Sequence, residues 1–366
     1  MCHTYARFRL REASGSAHSG LGWETTCLLA GKGCTVYFAG RNPAVLEAAI
    51  VRMRASQPGL ADAKLHALVL DLSSIASVVA AARSFSEPRL DIVVANAAVS
   101  LDNSTALSED GWERHFQINH LGHFALITTL LPLLQATARA HGDVRIVCVS
   151  SIGYRLVHEI DFDGLTREVP KDLLGPIGSL KRYGQSKLSV ILFAQELDRR
   201  LRGQGVTNVW VNSCHPGSSP TLSPPHSPSL PPFLLPSLSC LTLPPPESRP
   251  TNWRKGVITS TRLGGMGDQF GFPELYGRLT RRMVGLLGFT EQEGASTQVY
   301  LATSPEVVDK AIHGQYLVPT RGWLGGWTGC AEEKRRKHAR DGAIARELWT
   351  LSEKAVEAVC SRPKLQ

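Results

Sequence analysis

The sequence predicts an α/β fold, a doubly wound parallel sheet flanked by helices. Three observations support this prediction. Strand-like and helix-like runs alternate from Cys34 onward. Two strand-like runs, LDIVVANAA (90–98) and VRIVCVSS (144–151), are apolar almost throughout, which is typical of parallel strands covered on both faces. With 366 residues, 43% of them hydrophobic, the chain can build one large core. We therefore expect residues 1–366 to form a single domain.

The predicted elements follow one another in strand–helix order. The strands are short runs rich in β-branched and aromatic residues, and the helices carry apolar residues at helical spacing. The expected strands are 5–13, 34–40, 64–72, 90–98, 144–151, 206–217 and 313–320. The expected helices are 23–33, 44–56, 75–85, 110–140, one from about 182 that stops before Gly203, and a C-terminal helix over 341–359.

The first strand departs from the pattern of a central strand. Its sequence YARFRLREA (5–13) puts Arg7, Arg9 and Arg11 on one face. Because buried, unpaired arginines are unfavourable, we expect either an imperfect strand or a different natural N-terminus.

A proline-rich segment interrupts the alternation late in the chain. Residues 223–250 contain ten of the 22 prolines and no charged residue before Glu247. Proline disfavours both helices and central strands, so we expect an extended, disordered insertion over 223–265. A peptide ligand for a proline-binding domain and translated noncoding sequence from a wrongly assigned gene structure are the alternatives.

Composition excludes several classes of function. The net charge is +8, but the one dense basic run, EEKRRKHAR (332–340), begins with two glutamates and has no interleaved aromatic residue. We expect a solvated linker or helix start there, with a localisation signal or anionic-surface contact as the alternative, and no nucleic-acid partner. The eight cysteines form no CxxC pair, and no metal-ligand spacing appears. No signal peptide or membrane-length apolar run is apparent, so we expect a cytoplasmic protein, with peripheral membrane association left open.

Polar residues that could take part in catalysis or binding cluster at predicted strand ends and on one helix. Tyr183 and Lys187 are four positions apart, about one helical turn, and so share a face. Ser150 and Ser151 end one strand and Asn96 ends another, while Asn119 lies in a helix. An exposed Tyr–Lys pair, a capping serine and a packing asparagine are the structural alternatives. We expect His120, His123 and His215 to be core or loop residues rather than catalysts.

These residues, in this order, resemble the short-chain dehydrogenase/reductase family. The shared motifs are NAA (96–98), QINHLGHF (117–124), VSS (149–151), Tyr183-x-x-x-Lys187 and HPG (215–217). The resemblance spans about 14–222 and 266–356, and the motifs RYGQSKL and INHLGHF are most similar to the retinol-dehydrogenase-like branch. That branch includes the oxidoreductase part of WW-domain oxidoreductases, although no WW domain is visible here.

The resemblance implies a Rossmann-type fold and four catalytic residues. Tyr183 would be the acid/base of a hydride-transfer reaction, with its phenolate favoured by Lys187 and the nicotinamide ring. Ser151 would hold the substrate oxygen, and Asn119 would anchor a water relay to Lys187. Ser150 is the alternative to Ser151, and we favour Ser151.

The resemblance also implies a dinucleotide site. In SGSAHSGLG (14–22), Gly20 and Gly22 match the second and third family glycines, whereas Ser16, or Gly15 with one extra residue, stands at the first. A carboxylate after the second strand would favour NAD(H), but Arg41 follows Gly40 and suits the 2′-phosphate of NADP(H). The full set of expected cofactor contacts is Ser16, Gly20, Leu21, Gly22, Arg41, Asp71, Leu72, Asn96, Ala97, Tyr183, Lys187, Pro216, Gly217 and Thr221.

Beyond the proline-rich segment, the resemblance places a substrate lid at 266–295. Its apolar residues suit a lipophilic alcohol, ketone or aldehyde, or they simply pack a core. Family analogy further implies a homodimer. Two alternatives remain: a catalytically weak binding or regulatory protein, and an active reductase whose gene structure has been wrongly assigned.

Overall fold

The computed structural model of the protein describes residues 9–13, 20–100, 102, 104–170, 175–217, 291–321 and 327–361. For residues 9–13 only the backbone is described. Ser16, Thr221, the insertion predicted at 223–265 and the predicted lid up to residue 290 lie outside the described residues.

One eight-stranded sheet forms the centre of the described structure. Its strands are β1 (Arg9–Ala13), β2 (Thr35–Gly40), β3 (Leu65–Val69), β4 (Ile92–Ala95), β5 (Val144–Val149), β6 (Val209–Cys214), β7 (Tyr316–Arg321) and β8 (Trp327–Glu332). Their order across the sheet is β3-β2-β1-β4-β5-β6-β7-β8. Strands β1 to β7 are parallel, and β8 pairs antiparallel with β7. The predicted fold class is therefore confirmed.

The chain reverses its direction across the sheet between β1 and β4. Strand β1 pairs with β2 on one side and β4 on the other, so β1 to β3 extend one way and β4 to β7 the other. In doubly wound sheets the ligand crevice forms at this reversal, outside the carboxyl ends of the strands. The arginine-bearing first strand thus has the central backbone position expected of it.

Helices cover both faces of the sheet. On one face lie α1 (Gly20–Ala30), α2 (Pro43–Ser56), α6 (Glu291–Thr303) and α7 (Glu306–Asp309). On the other lie α3 (Ile75–Arg83), α4 (Arg114–His141), α5 (Pro176–Gly203) and α8 (Gly342–Cys360). Strand β4 shows the alternation, since Ile92 and Val94 pack on the α1 side and Val93 and Ala95 on the α3 side. Each face therefore has its own hydrophobic core.

Two helices begin earlier than the sequence predicts. Helix α1 starts at Gly20, whose φ of 72° is a left-handed conformation that favours glycine. Helix α5 starts at Pro176, after Gly175 at φ 97°, because proline is well tolerated in the first helical turn. The C-terminal helix matches its prediction closely, and the Asp341 side chain caps its first turn by accepting from the Ala343 amide at 2.8 Å.

The sequence patterns did not predict three of the elements: β8, α6 and α7. The side chains of β8 alternate poorly and are mostly half-buried or exposed, as in many edge strands. Helix α6 begins inside the predicted lid and packs against α1, and its Ala295 is fully buried. The last residues of the predicted lid, 291–295, therefore belong to the packed domain.

The long helix α4 contains a π-helical turn over Gln117–Leu121. Among the described residues, α4 is the one helix that is long and apolar enough to cross a membrane, but 61% of its most apolar stretch is buried inside the domain. A helix buried in the core of a domain can have the same length and composition as a membrane-spanning helix.

The basic run at 332–340 is not a solvated linker throughout. Glu333 is 8% exposed and Ala339 is fully buried, whereas Lys334, Arg336 and Lys337 are exposed. The prediction of a solvated segment is wrong for Glu333, because this carboxylate accepts a hydrogen bond from the buried Tyr154, which is far away in the sequence.

Candidate active site

Three elements bring the predicted catalytic side chains together at the carboxyl edge of the sheet. Ser151 follows the fully buried strand β5, Asn119 lies in the π-helical turn of α4, and Tyr183 and Lys187 lie on α5. The buried side chains of Leu188, Ile191 and Leu192 fix the rotation of α5 against the core.

The Tyr183 phenol interacts with the Ser151 side chain, which lowers the pKa of Tyr183 against the larger effect of burial, which raises it. Close backbone approach makes this contact possible. A Cβ atom added to Gly153 would lie 3.1 Å from Cε1 of Tyr183 and 3.4 Å from Oγ of Ser151, and one added to Gly184 would lie 2.6 Å from the Gly153 carbonyl oxygen. The turn after Ser151 therefore packs directly on the helix that carries Tyr183.

Lys187 is buried one helical turn after Tyr183 on α5. It is 2% exposed, and its ammonium donates to the Val149 carbonyl at 2.8 Å. Its Nζ atom lies 5.8 Å from the centroid of the Tyr183 ring. Burial lowers the pKa of Lys187 to about 8, against an opposing effect of the Cys214 and Cys148 thiols.

The predicted effect of Lys187 and the nicotinamide ring on the Tyr183 phenolate stays a prediction, because the cofactor is part of it. Burial raises the pKa of Tyr183 above its ordinary value, and the interaction with Ser151 opposes this rise only in part. The phenol is therefore protonated at neutral pH.

The Asn119 side chain forms hydrogen bonds with two other segments of the candidate site. Its Oδ1 accepts from the Val99 amide at 2.8 Å, and its Nδ2 donates to the Val99 carbonyl at 2.9 Å and to Ser186 Oγ at 2.8 Å. The Ser186 hydroxyl donates in turn to the Tyr183 carbonyl at 2.8 Å. Asn119 thereby joins the loop after β4 to α5, and the predicted water relay stays a prediction.

Sequence reasoning missed the parts played by Ser186 and Gly153. Both stand inside or beside recognisable motifs, YGQSKL and VSSIG, so their proximity to Tyr183 and Ser151 was the available signal. Ser150, the alternative to Ser151, instead donates to the Lys187 carbonyl at 2.7 Å and is 2% exposed. Its hydroxyl therefore joins the end of β5 to α5.

The phosphate-binding end of the cofactor site is described in part. Gly20, Leu21 and Gly22 form the first turn of α1 at the carboxyl end of β1, so its backbone N–H groups are available to an anion. Arg41 is exposed immediately after β2. A helix N-terminus beside an exposed guanidinium fits a phosphorylated dinucleotide.

The adenosine side of the predicted site contains an unpaired polar atom. Asn96 is 8% exposed, and its Oδ1 has no hydrogen-bond partner among the described residues. A ribose hydroxyl would satisfy this atom. Ala97 lies beside Asn96, and its carbonyl accepts from His123 at 2.9 Å.

Asp71 is already engaged by its own turn. Its Oδ1 accepts from the amide and hydroxyl of Ser73, at 2.9 and 2.7 Å, while the neighbouring Leu72 is buried. At the other end of the site, Pro216 and Gly217 are buried just after β6, and Gly217 has a φ of 91°. The described part of the site thus follows the strand ends from β2 to β6.

No group of three or more His, Cys, Asp or Glu side chains in the described ranges could hold a metal ion. His120, His123 and His215 are 1%, 4% and 6% exposed, respectively, in agreement with the expected core positions.

The chain is similar to known proteins in both sequence and fold. Residues 15–157 match the family model described as short chain dehydrogenase. The chain is 33% identical over 346 residues to retinol dehydrogenase 14 of Mus musculus, which covers 92% of this chain and 83% of that protein. It is 32% identical over 359 residues to short chain dehydrogenase/reductase dpchH of Colletotrichum higginsianum, over 95% of this chain and 75% of that protein. A solved structure from Mycobacterium paratuberculosis shares the fold, with a TM-score of 0.61, 24% identity, and 96% of this chain and 94% of that one covered.

Proposed function

Because the chain belongs to the short chain dehydrogenase family, we propose that it is an NADP(H)-dependent oxidoreductase that interconverts a lipophilic alcohol and its ketone or aldehyde. The observation that carries the proposal is the packing of Ser151 and Tyr183 on either side of Gly153, with the buried Lys187 beside the Tyr183 ring. Such a pair presents two hydroxyl groups to one substrate oxygen at the ligand edge of the sheet.

NADP(H), when bound, would supply or accept the hydride. Arg41 supports the preference for NADP(H), since an exposed guanidinium at the tip of β2 suits a 2′-phosphate and no carboxylate takes its place. The first turn of α1 would hold the pyrophosphate, and the unpaired Oδ1 of Asn96 would accept from a ribose hydroxyl.

The residues of the site support proton transfer in the reductive direction. Tyr183 holds its phenolic proton at neutral pH because burial raises its pKa. As hydride reaches the carbonyl carbon, Tyr183 donates that proton to the carbonyl oxygen, and Ser151 holds the same oxygen by a hydrogen bond. The C=O double bond becomes a C–O single bond, and Lys187 stabilises the phenolate that remains.

A lipophilic substrate is supported by exposed apolar residues on the segments that carry the catalytic pair. Leu156, in the turn after Ser151, is 55% exposed, and Ile177, in the first turn of α5, is 67% exposed. Similarity to a protein named retinol dehydrogenase 14 supports the same class of substrate.

The remaining features of the proposal concern assembly and location. We propose a homodimer by family analogy and no nucleic-acid partner. A cytoplasmic location is supported by the six described cysteines, all of which are free.

Fluorescence titration with NADPH, with NADH in parallel, tests the cofactor part of the proposal. We expect micromolar NADPH binding that weakens about tenfold in Arg41→Ala, because one charged contact to the 2′-phosphate is lost. Arg83→Ala is the matched control, since Arg83 is an exposed arginine in the last turn of α3. Absence of binding by either nucleotide to the folded chain would instead favour a binding or regulatory protein.

A further inference from the structure

The turn that follows Ser151 ends in a cluster of polar side chains around the buried carboxylate of Glu333. This turn spans Ile152–Leu156. Its Tyr154 hydroxyl donates to Oε1 of Glu333 at 2.7 Å, and the Arg155 guanidinium donates to the same oxygen at 2.9 and 2.6 Å. Tyr154 is fully buried and Glu333 is 8% exposed. One carboxylate oxygen therefore receives three donors from two adjacent residues of the turn.

Glu333 is itself fixed to the sheet. It directly follows β8, and its amide donates to the Tyr316 carbonyl of β7 at 2.9 Å. The ring of Tyr316 packs edge-on against that of Tyr154, with centroids 5.5 Å apart. The carboxylate thus connects the turn after β5 to the end of β8, the edge strand three positions away in the sheet.

The same turn sets the distance between Ser151 and Tyr183. Ser151 Oγ accepts from the Gly153 amide at 3.1 Å, and Gly153 lies against the Tyr183 ring. Any shift of the turn would therefore change the position of the Ser151 hydroxyl relative to Tyr183.

We propose that Glu333 is a positioning residue for the catalytic pair, acting through Tyr154 and Arg155 on the turn that carries Ser151. Its effect on catalysis rests on the proposed function, whereas its effect on the turn does not. Charge-assisted hydrogen bonds of this kind are short and directional, so the carboxylate holds the turn more firmly than a neutral acceptor would.

Glu333→Gln is the informative substitution, because it keeps the shape of the side chain and removes its charge. Glu332→Gln is the matched control, since Glu332 is the neighbouring acid with a half-exposed side chain. We expect Glu333→Gln to lower kcat about tenfold, as misplacement of a positioned group does, with KM for NADPH unchanged. Glu332→Gln should match the parent protein.

A double-mutant cycle separates positioning from loss of folded protein. If Glu333 acts through Ser151, Glu333→Gln should lower kcat much less in a Ser151→Ala background than in the parent. A merely destabilising substitution would lower the activity by the same factor in both. Equal factors, or no change in kcat in the first place, would overturn the proposal.

Hydrogen exchange tests the effect on the turn without any activity. The amides of Gly153, Tyr154 and Val157 are bonded within the turn or to Ser151, and we expect their exchange in Glu333→Gln to accelerate at least about threefold. Unchanged exchange would overturn the proposal. If exchange accelerates in Glu333→Gln but the parent protein turns over no substrate, the role of Glu333 in the turn is retained and the proposed function is rejected.

Discussion

The side chain of Asn119 holds both backbone polar groups of Val99. Oδ1 accepts from the Val99 amide at 2.8 Å and Nδ2 donates to its carbonyl at 2.9 Å. Asn119 is fully buried within the π-helical turn of α4. The loop that leaves β4 beside the predicted cofactor site is therefore fastened by an amide, a group that can donate and accept at once.

Replacing this amide by a carboxylate should destabilise the protein. Asn119→Asp removes the donor to Val99 and Ser186 and leaves a buried charge, so we expect the free energy of unfolding to fall by about 3 kcal/mol. Urea unfolding measures the change. Asn208→Asp is the control, because Asn208 donates to the Ala138 carbonyl at 2.7 Å from a half-buried position, and a loss of only about 1 kcal/mol is expected. Equal losses would contradict the role given to Asn119.

A methyl group at Gly153 should impair catalysis more than folding. The added carbon would lie 3.1 Å from the Tyr183 ring, so the ring or the turn must move, and we expect Gly153→Ala to lower kcat about 100-fold. The matched control is Gly203→Ala, because nothing lies within 4 Å of a carbon added at the end of α5. Full activity in Gly153→Ala would show that the contact between turn and helix does not position Tyr183.

Buried histidines should make stability depend on pH in mild acid. The Nε2 of His120 faces Ser352 Oγ at 2.8 Å, that hydroxyl donates to the Leu348 carbonyl, and Nδ1 has no partner in the described part of the chain. Burial lowers the pKa of His120 to about 3 and that of His123 to about 4. The unfolded chain therefore binds more protons than the folded one below about pH 6.5, and stability is lost as the pH falls through that value.

The size of this effect can be measured with one substitution. Each such histidine should lower the free energy of unfolding by about 1.4 kcal/mol per pH unit between about pH 5 and 6. His120→Phe keeps an aromatic ring among Phe116, Phe124 and Phe193. In urea unfolding at several pH values, it should reduce the slope of the free energy of unfolding against pH by the contribution of one proton. An unchanged slope would mean that His120 is already protonated in the folded protein.

The parts of the fold that sequence could predict are those set by local pattern. The apolar runs of β4 and β5 indicated buried parallel strands, and the polar residues that follow them, Asn96 and Ser151, lie at the ligand edge. The spacing of Tyr183 and Lys187 on α5 likewise predicted their common location, since one helical turn determines it.

The parts that sequence could not predict depend on contacts between distant segments. Glu333 pairs with Tyr154 across 179 positions, and its local setting, a run of charged residues, indicated a solvated segment instead. The raised pKa of Tyr183 is a second example, because desolvation depends on the packing around the phenol and not on the nearby lysine. Edge strand β8 lacks the alternation that a half-buried strand normally shows.

The most direct test of the proposed chemistry is NADPH oxidation with a panel of lipophilic ketones and aldehydes, in the parent protein and in Tyr183→Phe. The substitution keeps the ring against Gly153 and removes only the hydroxyl that donates the proton. We expect turnover of at least one substrate by the parent, and a fall of at least about 100-fold in kcat for Tyr183→Phe with NADPH binding retained. Turnover that persists in Tyr183→Phe would contradict the assignment of Tyr183 as the acid/base.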